Sequence, residues 1–183
     1  MPAPGAGTLA FPNARRGAAC VDLLVPEADA ERVRAELLSA GATSLDDEAL
    51  EALRILAGVA RWGHELDGAR LPMEAGLTGA AISFTKGCYI GQEIVVRATA
   101  RGQLQRGLVR LALPAGAGPG TKLVSGGAEI GLVTSAADTP EGRVGLGYLR
   151  RAFWAAGTRV TAGDGEATVL RSLTPPEPEP RAP

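Results

Sequence analysis

Cys88 is the side chain in this sequence best placed for nucleophilic or ligating chemistry. Lys86 stands two residues before it, and Gly87 and Gly91 bracket it. The spacing predicts a short helix from Gln92 to about Arg101, stopped by Gly102. A helix N-terminus presents free N–H groups and the positive end of its dipole. Together with a neighbouring ammonium group, that arrangement favours a thiolate over a thiol. The competing reading of Cys88 is a buried, inert small residue, the usual fate of a free cysteine. Cys20 lies in the middle of an apolar run, where the inert reading holds more strongly. Glu93, Arg97 and Arg101 share one face of the short helix. They make either an anion site or a solvent-side ladder of ion pairs worth a few tenths of a kcal/mol. Arg54 falls between Leu53 and Ile55 beside an apolar stripe. There it either extends its charged head to water or pairs with a carboxylate, and periodicity leaves both open.

Composition removes several function classes. The chain has 183 residues, with 19 Lys+Arg against 20 Asp+Glu. A near-neutral chain does not bind nucleic acid or a membrane surface by bulk charge. One histidine (His64) and two cysteines exclude a Cys₄ or Cys₂His₂ zinc site within the chain. A serine triad has only His64 to use, and no G-x-S-x-G turn accompanies it. Two cysteines make no disulfide framework. No apolar run is long enough to span a membrane, and the first residues show no secretion signal. The expected setting is reducing and cytoplasmic. Only Lys86 and Lys122 are lysines, against 17 arginines, which singles out the placement of Lys86.

The elements that must position these residues fall in two textures. Residues 1–16 are rich in Pro, Gly and Ala and read as extended. Ala18 to Val25 reads as a buried strand, closed by Pro26. A helix follows from about Ala28 to Ser39, with Val33, Leu37 and Ala40 on one face. A second helix starts at Asp46 or Asp47, with Leu50, Leu53, Leu56 and Ala57 as its buried stripe and Gly58 or Gly63 as its stop. Ile90, Ile94 and Ala98 give the short helix after Cys88 a buried face. Beyond Gly102, six short apolar runs alternate with Gly/Pro/Asp turns: 107–113, 122–124, 129–135, 143–149, 158–161 and 166–173. They predict a small barrel or sandwich, with a domain boundary near residue 103. The Pro-rich tail, 174–183, is expected to be disordered.

The run Ile82 to Glu93, with Lys86-Gly87-Cys88-Tyr89-Ile90-Gly91-Gln92-Glu93 at its centre and Arg97 after it, resembles the K-G-C-Y-x-G-Q-E signature of the YgfZ family. That family comprises folate-binding relatives of the glycine-cleavage aminomethyltransferase (GcvT), including CAF17-like iron–sulfur assembly factors. Leu53-Arg54-Ile55 with Ala57-Gly58, Pro72-x-Glu74 and Gly131-x-Val133-Thr134-Ser135 resemble further segments of the family. The resemblance covers about residues 15–172. It implies an α+β fold: a partial GcvT-like folate-binding region over 17–102 that carries the cysteine motif, followed by a six-stranded Greek-key barrel over 103–173. It implies tetrahydrofolate as cofactor and iron–sulfur carrier or client proteins as partners. The implied role is cluster assembly or repair, and through it tRNA modification. Cys88 and Lys86 take the functional positions, and Arg54, Tyr89, Gln92, Glu93 and Arg97 the folate-binding ones. Family members carry a long segment before the strand placed here at 18–25, and it supplies one wall of the folate pocket. An assembly factor is the first reading. A tetrahydrofolate-dependent aminomethyltransferase and a non-catalytic interaction module with a vestigial folate site are the alternatives.

Overall fold

The computed structural model of the chain describes residues 7–13, 20–100 and 104–174. The chain divides into two compact units, Met1–Val59 and Ala60–Pro183.

The first unit holds a two-stranded antiparallel ribbon, β1 (Leu9–Asn13) and β2 (Cys20–Leu24), with Leu9 opposite Leu24 and Asn13 opposite Cys20. A 3₁₀ turn over Glu27–Asp29 leads into α1 (Ala30–Ser39), and α2 (Asp47–Ala57) follows. At both ends of α2 the structure takes the first of the two residues the sequence offers, Asp46 and Gly58. The Asp46 carboxylate accepts from the Ala49 N–H at 2.8 Å, and Gly58 closes the helix at φ 75°. A positive φ costs glycine nothing that a side chain would have to bear.

The expected buried faces of this unit need correcting. The strand expected to be buried is half-exposed along β2, and Leu37 of α1 and Ala40 just after it face water. On α2, Leu50 and Leu53 are exposed, while Ile55 is fully buried. Apolar residues surround α2 almost completely, so a period of 3.6 marks more than one possible stripe. Two strands and two short helices also enclose little interior, as expected of so small a unit.

The second unit is built on a closed six-stranded antiparallel barrel. Its strands are β3 (Arg106–Ala112), β4 (Lys122–Ser125), β5 (Ala128–Thr139), β6 (Gly142–Arg150), β7 (Arg159–Ala162) and β8 (Gly165–Ser172). Around the barrel the order is β3-β6-β5-β4-β7-β8. The first strand thus lies beside the fourth, a Greek-key arrangement, and the six strands match the six apolar runs. Val109, Leu111, Leu123, Val133, Leu149, Val160 and Val169 belong to the interior cluster. Leu108, Leu146 and Tyr148 are equally buried but lie outside that cluster. Two glycines record close approaches. A Cβ on Gly131 would run into the Tyr148 carbonyl oxygen, and one on Gly107 would lie 2.6 Å from the Trp154 ring. Trp154 is fixed there by its Nε1–H, which donates to the Leu149 carbonyl at 2.7 Å.

Before the barrel come an irregular strap over 61–77, α3 (Thr78–Ala81), the Cys88 loop and α4 (Gln92–Ala100). The Leu108 N–H donates to the Glu74 carbonyl at 2.8 Å, which ties the strap to β3. Of the tail expected to be disordered over 174–183, Thr174 is instead buried and donates its hydroxyl to the Glu74 carbonyl at 2.8 Å; 175–183, like most of the first residues, lie outside the described residues. No helix among the described residues is long and apolar enough to cross a membrane.

Candidate functional site

The Cys88 loop joins α3 to α4 and is shaped by its own polar groups. The Lys86 N–H donates to the Ser83 hydroxyl at 3.2 Å. Gly91 turns the chain at φ 87°, and its carbonyl accepts from the Ile94 N–H at 3.1 Å in the first turn of α4. Tyr89 and Gln92 close a small ring. The Gln92 N–H donates to the Tyr89 carbonyl at 3.1 Å, and the Tyr89 N–H donates to the Gln92 side-chain oxygen at 3.4 Å. This reciprocal pair resembles a capping box and fixes where α4 begins. Cys88 stands exposed just ahead of that start. The Lys86 ammonium rests 4.4 Å from the centre of the Tyr89 ring, a cation–π contact.

Five of the residues singled out by sequence are therefore gathered on one loop and helix start: Lys86, Cys88, Tyr89, Gln92 and Glu93. Arg97 follows on α4, and its side chain lies outside the described residues. The expected buried face of α4 is corrected: Ile90 is 105% exposed and Ile94 is 58% exposed. Both point where no described residue covers them. The i, i+4 spacing marked an apolar face, but spacing alone does not say whether anything packs against it.

Arg54 belongs to the first unit, and there its choice is resolved. Its Nε and Nη2 donate to the two Glu51 carboxylate oxygens at 2.9 and 2.7 Å, while Nη1 donates to the Val59 carbonyl. The paired alternative is the one adopted, a bidentate fork at 12% side-chain exposure.

A second polar constellation went unread in the sequence. Glu65, on the strap, is completely buried. Its Oε1 accepts from the Thr134 and Ser135 hydroxyls at 2.7 and 2.6 Å, and its Oε2 from the Arg61 N–H at 3.1 Å. Adjacent strand residues normally face opposite sides. Here the β5–β6 register shifts between Val133 and Ser135, and this bulge turns both hydroxyls to one carboxylate. Tyr148 donates its hydroxyl to the Glu65 carbonyl at 2.9 Å, and the Arg70 guanidinium lies 4.0 Å from its ring centre. Burial pushes the Tyr148 phenol up to about 12; the Glu74, Glu65 and Asp67 carboxylates add to the shift and Arg70 opposes it. Glu74 accepts from Arg106 at 3.1 Å and from the Leu71 N–H at 3.2 Å. The one signal in the sequence was Thr-Ser at the end of the Gly131–Ser135 segment, two hydroxyls where alternation calls for one. Among the described residues, no group of three His, Cys, Asp or Glu side chains is arranged to hold a metal ion.

No known protein-family profile matches the chain. It is 33% identical over 153 residues to a putative chloroplastic transferase of Arabidopsis thaliana, covering 82% of this chain and 35% of the relative. It is 36% identical over 148 residues to an aminomethyltransferase of Streptomyces avermitilis, covering 75% of this chain and 40% of the relative. The chain thus spans well under half the length of these two relatives. The crystal structure of the glycine cleavage system aminomethyltransferase T from Bartonella henselae superposes with a TM-score of 0.77 at 24% identity, over 93% of this chain and 50% of that one. With its closed Greek-key barrel and preceding α/β elements, the chain has the GcvT-like α+β fold of that aminomethyltransferase over the region the two share.

Proposed function

We propose that the chain is a YgfZ-like, folate-binding protein of the cytoplasm that supports iron–sulfur cluster assembly or repair, with Cys88 as its working thiol. The observation that carries this reading is the exposed Cys88 in Lys86-Gly87-Cys88-Tyr89-Ile90-Gly91-Gln92-Glu93, immediately before the start of α4. An exposed thiol beside a helix N-terminus suits ligation of a metal centre or attack on an electrophilic sulfur. One thiol supplies one ligand, so any cluster is shared with a carrier or client protein. Through such clients the protein would support tRNA modification. Lys86, held over the Tyr89 ring, keeps a positive charge on the same loop.

Reduced folate enters through likeness to aminomethyltransferases. The residues bear on it unequally. Tyr89 and Gln92 are half-buried and offer a ring and an amide, whereas Arg54 already spends its fork on Glu51 and Val59. A folate carboxylate at Arg54 would have to displace Glu51, so Arg54 does not fit as a free carboxylate receptor. No chemical step is routed through folate. The names of the relatives favour a second reading, a tetrahydrofolate-dependent aminomethyl transferase.

The test is the activity of a cluster-dependent enzyme in cells lacking the family member, supplied with this chain or with Cys88→Ala. Rescue by the native chain and loss with alanine is the expected result. Equal rescue by both removes the thiol from the reading. No rescue together with turnover of an aminomethyl donor replaces it with the transferase reading.

A further inference from the structure

The first unit has almost no interior of its own. Apart from Ile55, none of its described residues is buried. A domain of about 60 residues that folds alone buries roughly 60% of the surface its unfolded chain exposes. Here apolar side chains stand in water instead. Leu9, Phe11 and Leu24 share one face of the ribbon, since Leu9 lies opposite Leu24 and Phe11 follows two residues on. All three are exposed. Leu50 and Leu53, about one turn apart on α2, are exposed as well. An apolar face that the chain's own fold leaves in water calls for a cover.

The ribbon also has an open edge. Pro12 stands opposite Val21 and has no N–H to give. In an antiparallel pair, opposed residues alternate between exchanging two hydrogen bonds and directing both groups outward. Pro12 belongs with the second kind, as proline does on an edge strand. Val21 therefore points its N–H and C=O away from β1, and so does Leu23 two residues on. The outer edge of β1 lacks a donor at Pro12, whereas β2 carries no proline and its outer edge is complete. Among the described residues, no strand pairs with that edge.

We propose that the outer edge of β2 and the face made by Leu9, Phe11 and Leu24 dock the half of a GcvT-like fold that this chain does not span. A strand of that half adds to β2, and its apolar side covers the three side chains. Length carries the choice of occupant. The superposed aminomethyltransferase matches 93% of this chain with 50% of its own, so half of that fold lies outside the region the two share. An added strand supplies main-chain hydrogen bonds to the edge, and alternate side chains supply the fit. A second copy of this chain fits less well. The antiparallel register that pairs all five residues of β2 with their symmetry mates puts Asp22 opposite Asp22, and like charges directly opposite one another oppose pairing. The proposal rests on the fold and is independent of Cys88 and of folate.

The experiment co-expresses the full chain with the half of the Bartonella henselae enzyme that lies outside the superposed region, carried as a soluble fusion. The complex is recovered through the fusion and sized by light scattering. A one-to-one complex is expected. Leu9→Glu, Leu24→Glu is expected to lower the chain recovered roughly tenfold. Val21→Pro removes the edge N–H without removing a bond to β1, and is expected to lower recovery while leaving the ribbon formed. Leu170→Glu, at an exposed position of β8, is expected to stay within about twofold of native. The milder pair Leu9→Ser, Leu24→Ser should fall between the native chain and the charged pair, and serves if the charged pair disturbs folding. Absence of a complex overturns the proposal, as does a complex indifferent to the ribbon variants. A dimer of the full chain alone that the same variants dissociate also overturns it, in favour of a second copy.

Discussion

Replacing Glu65 with alanine removes the acceptor that joins the strap to β5. In the native chain its carboxylate takes three hydrogen bonds, from Thr134, Ser135 and the Arg61 N–H, while fully buried. Thr134 has a second acceptor, the Leu146 carbonyl at 3.1 Å, and turns to it. The buried Ser135 hydroxyl loses its acceptor at 2.6 Å, and the Arg61 N–H loses one at an exposed position of the strap. Each donor left unsatisfied in the interior costs about 1–3 kcal/mol, and the vacated volume adds to that. The expected loss is about 2–4 kcal/mol. Glu65→Gln keeps one acceptor oxygen for the two hydroxyls but turns an amide donor toward the Arg61 N–H. Its expected loss is smaller, about 1–3 kcal/mol. Glu166→Ala removes an exposed ion pair with Arg159 and is expected to cost less than about 1 kcal/mol. The assay is urea unfolding followed by far-ultraviolet circular dichroism and by tryptophan fluorescence in a Trp62→Phe background, which leaves Trp154 on the barrel as the reporter. The order native, then Gln, then Ala is the expected result, with the exposed control near native. An alanine variant within about 1 kcal/mol of native, or glutamine costing more than alanine, refutes the reasoning.

Two further outcomes follow from the same geometry. The folded state raises the Tyr148 phenol, so the stability this group contributes is whole below the ordinary tyrosine value of about 10 and is lost as pH climbs toward about 12. Tyr148→Phe should delete the late component of the tyrosinate absorbance titration and cost about 1 kcal/mol for the bond to the Glu65 carbonyl; an unaltered titration counts against the assignment. Alkylation with a small iodoacetamide reagent should label exposed Cys88 before half-buried Cys20, whose thiol donates to the Asn13 carbonyl at 2.5 Å. Mass spectrometry reads the order, and prior labelling of Cys20 would contradict it.

What the sequence disclosed followed from how local each signal is. The α2 start needs only an aspartate and an N–H three residues on, and both are local, so Asp46 and Gly58 were readable. The barrel strands were readable because apolar runs between glycine and proline turns scarcely depend on which strands pair. Burial was less readable. The choice between Leu53 and Ile55 as the inward residue of α2 depends on what lies against the helix. The same holds for Ile90 and Ile94, whose spacing is helical but whose cover is missing among the described residues.

The polar constellation on the strap was hidden for a different reason. Glu65 and Ser135 are 70 positions apart, and no periodicity connects a carboxylate in an irregular stretch to hydroxyls on a strand. The link exists because a bulge breaks the alternation that strand prediction assumes. The pairings of Arg106 with Arg150 and of Arg110 with Arg171 were hidden in the same way, because they arise only through the Greek-key register. Cys88 shows the converse. Its loop is set by contacts within a few residues, from Ser83 to Gln92, so its local motif could be recognised before any fold was known. Chemistry on a continuous segment is legible from sequence, whereas chemistry assembled by strand pairing becomes visible only with the register. That difference makes the Glu65 variants the sharper test of the fold, and the Cys88 variant the sharper test of function.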